Sequence, residues 1–184
     1  MQSSSQTPSE IRHRIWTELG RAALDRHHAW RTPVLATAGE DGRPHARTIV
    51  LRETDAKTSF LRFYSDGRSA KIAQLSERPD AQLVFWSKRL NWQLRVGVCI
   101  EIHEAGPAVD TVWARVGQSA AAADYLSPSA PGSALSAAQL PTTPSRHHLV
   151  VLSAKVHEID WLELARAGHR RARLSTVSWE WLTP

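Results

Sequence analysis

The turn Gly39-Glu40-Asp41-Gly42 constrains this chain most, because Asp-Gly set between apolar stretches is a strong hairpin signal. The short apolar run 33–38 precedes it, and residues 43–53 return as a strand of alternating pattern. Arg47, Ile49 and Leu51 then share one face, while Thr48, Val50 and Arg52 share the other. Residues 58–65, 81–86, 92–104 and 149–159 read as further strands, and 171–174 with 177–182 as a closing pair. Helical spacing is confined to a stretch opened by Ser9 and ending near His27-His28, to 68–76, and to 107–126. Strands do not alternate with crossover helices, which excludes a doubly wound parallel sheet. The pattern predicts a mainly β chain, a closed or nearly closed antiparallel barrel with a few flanking helices. Residues 1–8 read as disordered, 9–184 as a single domain, and 127–147, rich in Pro, Ser, Ala and Gly, as its most mobile loop.

Composition narrows the function classes. A chain of 184 residues with 42% hydrophobic and 22% charged residues has the makeup of an ordinary soluble domain. No membrane span or secretory signal is legible, and one cysteine rules out an intrachain disulfide, so a cytoplasmic setting is the expectation. The net charge of +5 is scattered rather than gathered into a stripe, which argues against nucleic acid as partner. The nine histidines, His27-His28 and His147-His148 among them, show no metal-ligand spacing, and no GxSxG or GxxxxGK[ST] motif occurs. Cys99, within an apolar strand, reads as buried and inert.

Several residues suit a phosphate-bearing planar ligand. Arg47 could fork onto a phosphate, and backbone groups of the same strand could meet the polar edge of a ring. Tyr64-Ser65 ends a strand, and Ser69 and Lys71 lie where the next helix opens, a place that favours anions. Gln93 can both donate and accept at a ring edge. Trp161 could stack on a ring, and the basic cluster 169–173 could reach a ring or phosphate. Each piece alone also reads as ordinary structure: solvated arginines on a surface strand, a helix cap, a polar strand residue, a core tryptophan.

In order, these pieces resemble the pyridoxamine 5′-phosphate oxidase-related, FMN-binding split-barrel family. The resemblance covers about residues 10–184 and runs from an N-terminal helix and Ala36-Thr37…Asp41-Gly42-Arg43-Pro44 through Arg47 to Arg52, Phe63-Tyr64-Ser65, Ser69-x-Lys71, Gln93 to Gly97, Trp161 and an Arg-rich strand to the terminal Trp179…Pro184. It implies a six-stranded antiparallel split β-barrel and a homodimer with FMN sites at the subunit interface. It also implies an oxidoreductase acting on a small molecule, with a non-catalytic flavin-binding module as the alternative. The implied cofactor contacts fall on Arg47, Thr48, Ile49, Val50, Leu51, Arg52, Tyr64, Ser65, Ser69, Lys71 and Gln93. Trp161 and either Arg171 or Arg173 would come from the partner subunit. The pattern departs from the oxidases in places. Ala70 stands where they carry an arginine, and Thr111 falls near an expected tyrosine. Arg115 and Ser119 match substrate-phosphate residues, while His169 aligns with Ala167 in place of an arginine.

Overall fold

The antiparallel ladder foreseen in the alternating segments is present in the computed structural model, which describes residues 6–134, 146–175 and 177–184. β1 (Val34–Ala38) and β2 (Pro44–Thr48) form the expected hairpin, with Gly42 at φ 77° in its turn, a conformation that glycine adopts without strain. β3 (Leu51–Asp55) pairs with β4 (Phe60–Asp66), and β5 (Asp80–Ser87) with β6 (Trp92–His103). β7 (Leu149–Glu163), β8 (Arg170–Ser175) and β9 (Trp179–Leu182) follow. Among the described residues, nine strands make one sheet of order β2-β1-β5-β6-β7-β4-β3, with β8 added to β7 and β9 to β8. β7 is long enough to pair with β4 through its first half and β8 through its second.

Residues 43–53 are not the single strand that their alternation predicted. The run breaks at Ile49-Val50, where Ile49 N–H turns to the Pro33 carbonyl. β2 pairs only with β1 and β3 only with β4, so consecutive strands lie at opposite borders of the sheet path. The sheet therefore curls into a barrel whose seam is crossed by the chain itself rather than closed by a ladder. Alternation survives the break, with Arg47 half-buried and Ile49 and Leu51 buried. A period of two reports which side is inside, not which strand is the neighbour.

Leu35, Leu51, Leu61, Phe63, Leu83 and Leu94 fill the interior without measurable exposure. α1 (Pro8–Leu24) adds Ile11, Ile15, Leu19 and Ala22 to this core, spaced to face one side of a helix. Its cap is Thr7 rather than Ser9, in a capping box with Glu10, and it ends at Leu24 rather than near His28. His28 instead caps the 3-10 turn Ala29–Arg31. Of the stretch expected to be disordered, residues 1–5 lie outside the described residues, and Thr7 and Pro8 belong to the helix start. The expected helix 107–126 divides into α3 (Pro107–Val116) and the 3-10 turn Ala120–Tyr125. α3 sets Val109 and Val112 against Leu149 and Val151 on the outer side of the sheet. Within the expected loop 127–147, residues 135–145 lie outside the described residues. Cys99 is exposed, not buried, because Val98 and Ile100 on either side take the inward positions.

Glu18 ties α1 to the barrel. Its carboxylate, 4% exposed, accepts from His28 Nε2 at 2.9 Å, Arg21 at 3.3 Å and Arg89 at 2.5 Å. Burial pushes its pKa up, but His28, Arg89 and Arg21 together outweigh burial and leave it below the ordinary value. A lowered carboxylate pKa stabilises the fold above the unfolded-state value and loses that contribution as pH falls through the folded one. Replacing Glu18 by Gln should cost about 1–3 kcal/mol at neutral pH. The difference from the natural protein should shrink toward acid, and urea unfolding at a series of pH values reads it. A pH-independent difference would contradict this ion-pair role.

Candidate functional site

Two cations converge beside the seam. Lys71, in the first turn of α2 (Ala70–Glu77), donates from Nζ to Ser65 Oγ at 3.1 Å and Ser69 Oγ at 2.9 Å. Arg47 points inward from β2 and is anchored by Thr37 Oγ1 at 2.6 Å and Gln74 Oε1 at 3.0 Å. Burial first, and Arg47 second, push the Lys71 ammonium below its ordinary pKa, with Asp66 offsetting part. Burial alone lowers the Arg47 guanidinium. Asp66 is committed to Arg68 through contacts of 2.6 and 3.0 Å. Among the described residues neither Arg47 nor Lys71 has a carboxylate within ion-pair distance, whereas Asp66, Glu18 and Asp160 do have cationic partners. Two half-buried cations without an ion-pair partner, each beside hydroxyl groups, fit a phosphomonoester dianion.

The remaining residues expected on the same segments separate by face. Ser65 is buried on the inner face of β4, and Tyr64 sits half-buried on the outer. The Tyr64 hydroxyl donates to Glu53 Oε1 at 2.7 Å and accepts from Arg115 Nη2 at 2.7 Å. Arg62 and Arg115 also reach Glu53, at 3.1 and 3.2 Å. Arg52 stacks its guanidinium 5.6 Å from the Tyr64 ring centroid and keeps a buried Nε without a partner. Thr48 is exposed, Val50 half-buried, and Ile49 and Leu51 face the core, so the last two offer a ligand backbone only. Beside the Glu53 network lies a cavity of about 290 Å³ that also includes Arg62, Glu101, His103 and Ser153. His103 Nε2 is 3.1 Å from Ser153 Oγ there. Ser153 lies mid-strand with neighbours on both edges, so its backbone offers no free amide pair for an oxyanion.

Gln93, Trp161, Arg171 and Arg173 do not join this cluster within one chain. Their elements, β6, the second half of β7 and β8, supply none of the hydrogen bonds that link Arg47, Ser65, Ser69, Lys71, Thr37 and Gln74. Trp161 is fully buried, edge-on to Trp92 at 5.3 Å, and presents no surface to a ligand. Arg171 makes a two-pronged contact with Asp160, and Arg173 pairs with Glu158 and Glu180. Gln93 is half-exposed on β6 opposite Trp86. Gln74 and Glu53 are not singled out by the sequence, and Thr37 enters there only as part of the ordered resemblance, with no site role. Gln74 was findable, since a residue three positions after Lys71 shares its helix face.

Comparison with known proteins follows this geometry. Residues 13–104, half of the chain, match the family model for the pyridoxamine 5′-phosphate oxidase FMN-binding domain. The match spans Arg47, Ser65, Ser69, Lys71 and Gln93 and stops before Trp161, Arg171 and Arg173. A pyridoxine/pyridoxamine 5′-phosphate oxidase of Thermosynechococcus vestitus is 39% identical over 84 residues, 45% of this chain and 37% of the relative. One from Myxococcus xanthus is 43% identical over 63 residues, 34% of this chain and 30% of the relative. The matched stretches thus span well under half of these relatives. A pyridoxamine 5′-phosphate oxidase-related, FMN-binding protein of Nostoc punctiforme superposes with a TM-score of 0.71 at 23% identity, covering 98% of this chain and 100% of that one. PhzG of Burkholderia lata, solved with tetrahydrophenazine-1-carboxylic acid, has a TM-score of 0.71 at 20% identity and covers 99% and 95%. These likenesses establish the fold as that of the split barrels.

The two tyrosines of the chain report on the outer network. Burial, with the Glu53 carboxylate next, pushes Tyr64 up to about 12, and burial raises Tyr125 as well. Raised values mean that folding holds both phenols protonated. That contribution is complete below the unfolded value near 10 and is lost as pH climbs toward the folded one. Ultraviolet titration of the native protein should place both phenolate steps above the ordinary value, and Tyr64→Phe should remove the step near 12. A native step at the ordinary value would contradict the network.

Proposed function

The chain belongs to the pyridoxamine 5′-phosphate oxidase FMN-binding family, and on that premise we propose that it is a homodimeric flavoprotein oxidoreductase of the reducing cytoplasm, acting on a small molecule. Its cofactor is FMN. Arg47 and Lys71, with Ser65 and Ser69, would hold the phosphate, and this uncompensated pair is the observation that carries the reading. Backbone groups of 48–51 and the side chain of Arg52 would meet the ring. Bound FMN supplies the centre that accepts and returns a hydride or electrons. The protein's part is to bind, orient and keep water from that ring.

The homodimer reading has its own support. Among the described residues, Gln93, Arg171 and Arg173 make no hydrogen bond or ion pair with the phosphate cradle of their own chain, and Arg171 and Arg173 are paired with carboxylates. A second copy placed against the outer face could bring them to it, and Trp86, Trp179 and Trp181 leave apolar surface exposed on β5 and β9. Trp161 could take part only if the Trp92 and Trp181 packing opened.

A second reading is a flavin-binding module without turnover. The Arg115 guanidinium already reaches Glu53 and Tyr64 through Nη2, so a carboxylate of this chain takes part of its charge. Anaerobic mixing separates the two readings. Bleaching of bound flavin by pyridoxamine 5′-phosphate, a nicotinamide or another small reductant supports the oxidoreductase. Flavin that none of these reduces supports the module.

Arg47→Ala with Lys71→Ala should weaken FMN more than tenfold, since charge-assisted contacts contribute about 1.5–3 kcal/mol each. Riboflavin, which lacks the phosphate, should bind the variant as it binds the natural protein. FMN affinity should also fall as pH rises through the depressed Lys71 value, earlier than an ordinary lysine near 10.4 would allow. Equilibrium titration of flavin fluorescence measures all of this. A purified protein with no flavin band and no uptake of added FMN would refute the proposal.

A further inference from the structure

Arg47 is held without being neutralised. Its Nη1 donates to Thr37 Oγ1 at 2.6 Å and its Nη2 to Gln74 Oε1 at 3.0 Å. The Thr37 hydroxyl donates in turn to the same Gln74 oxygen at 2.7 Å, closing a ring of three hydrogen bonds. Thr37 is 5% exposed and Gln74 half-buried, so water competes weakly for these contacts. Both acceptors are uncharged. A guanidinium offers five N–H donors in one rigid plane, so two fixed donors set the direction of the rest. A carboxylate at either place would orient the plane equally well and cancel the charge.

Three elements build this clamp. Arg47 lies opposite Leu35 across the β1–β2 ladder, and Thr37 is the next residue of β1 on that face. Gln74 stands one turn after Lys71 on α2, so the helix that brings the ammonium also brings the amide. Asp66 could have served as a counter-ion, but Arg68 holds it on both carboxylate oxygens.

We infer that Thr37 and Gln74 are positioning residues for the cofactor phosphate: they aim Arg47 through neutral hydrogen bonds and leave its charge, with that of Lys71, for the incoming dianion. The inference rests on the FMN reading. It adds that the uncharged state of position 74 makes the site prefer the phosphorylated flavin over riboflavin. A merely structural role predicts lost stability for any change at 74. The charge argument predicts something different for the isosteric acid, which keeps the acceptor and adds a negative charge.

The test compares natural protein with Gln74→Glu, Gln74→Leu, Thr37→Val and Thr37→Ser. The readouts are Kd for FMN, Kd for riboflavin, and Tm without flavin. Gln74→Glu should weaken FMN about tenfold to a hundredfold, leave riboflavin within about twofold, and hold or raise the flavin-free Tm by pairing with Arg47. Gln74→Leu and Thr37→Val should weaken FMN by about three- to tenfold through lost orientation, and Thr37→Ser should restore it. If Gln74→Glu does not fold, the FMN-to-riboflavin ratio of Thr37→Val decides in the same way. Unchanged FMN affinity in Gln74→Glu, or equal losses for both flavins, would overturn the inference while the FMN reading stands. Natural protein that takes up neither flavin would overturn that reading, and with it this inference.

Discussion

Ile49 and Val50 carry the chain from one border of the sheet to the other, and the architecture turns on that crossing. β2 and β3 are consecutive in sequence and farthest apart in the path of paired strands. A sheet with such ends must curl until they meet, yet the link leaves no room for a ladder between them. The result is a barrel with a seam. Side chains from both sides of the seam gather there, Arg47 from β2 and Ser65 from β4 at the far side, with α2 inserted to deliver Ser69 and Lys71.

Charge placement at this corner differs from that around the buried carboxylates. Buried carboxylates elsewhere are saturated: Glu18 by His28, Arg21 and Arg89, Asp66 by Arg68, Asp160 by Arg171 and Arg95. Such sets offset the cost of taking charge out of water. Arg47 and Lys71 have no such compensation, and each is shifted in the direction that burial of a cation demands. A fold that keeps two cations together partly desolvated gives up stability in its flavin-free form. Binding a phosphate dianion returns it, which couples cofactor uptake to stability by mass action.

Legibility differed from element to element. The β1–β2 hairpin was readable because Asp-Gly restricts the turn locally, and α1 because its apolar residues recur on one face. The break at 49–50 was not readable, since nothing in an alternating run states where a strand changes partners. Cys99 was misplaced for a related reason: a nearly continuous apolar run hides which residues point outward until the register is known. At the candidate site, Arg47, Ser65, Ser69 and Lys71 are legible by residue type and by the strand-to-helix junction, and the fold places Ser65, Ser69 and Lys71 in contact. Thr37 and Gln74 lie 37 residues apart and meet only after β1 and α2 have packed. Glu53 escaped because its role lies in cancelling Arg115, a contact across 62 residues.

By itself the sequence determined a mainly β chain, the hairpins, the amphipathic helix that covers the barrel, and the cationic and hydroxyl residues that suit a flavin phosphate. These follow from local backbone preference and side-chain period, which act over a few residues. Tertiary structure alone decided which strand borders face each other, which arginines stay uncompensated, and that Trp161 is sealed in the core. Those outcomes depend on contacts between distant segments, and the electrostatic state of a charged group is set by neighbours that no local pattern names.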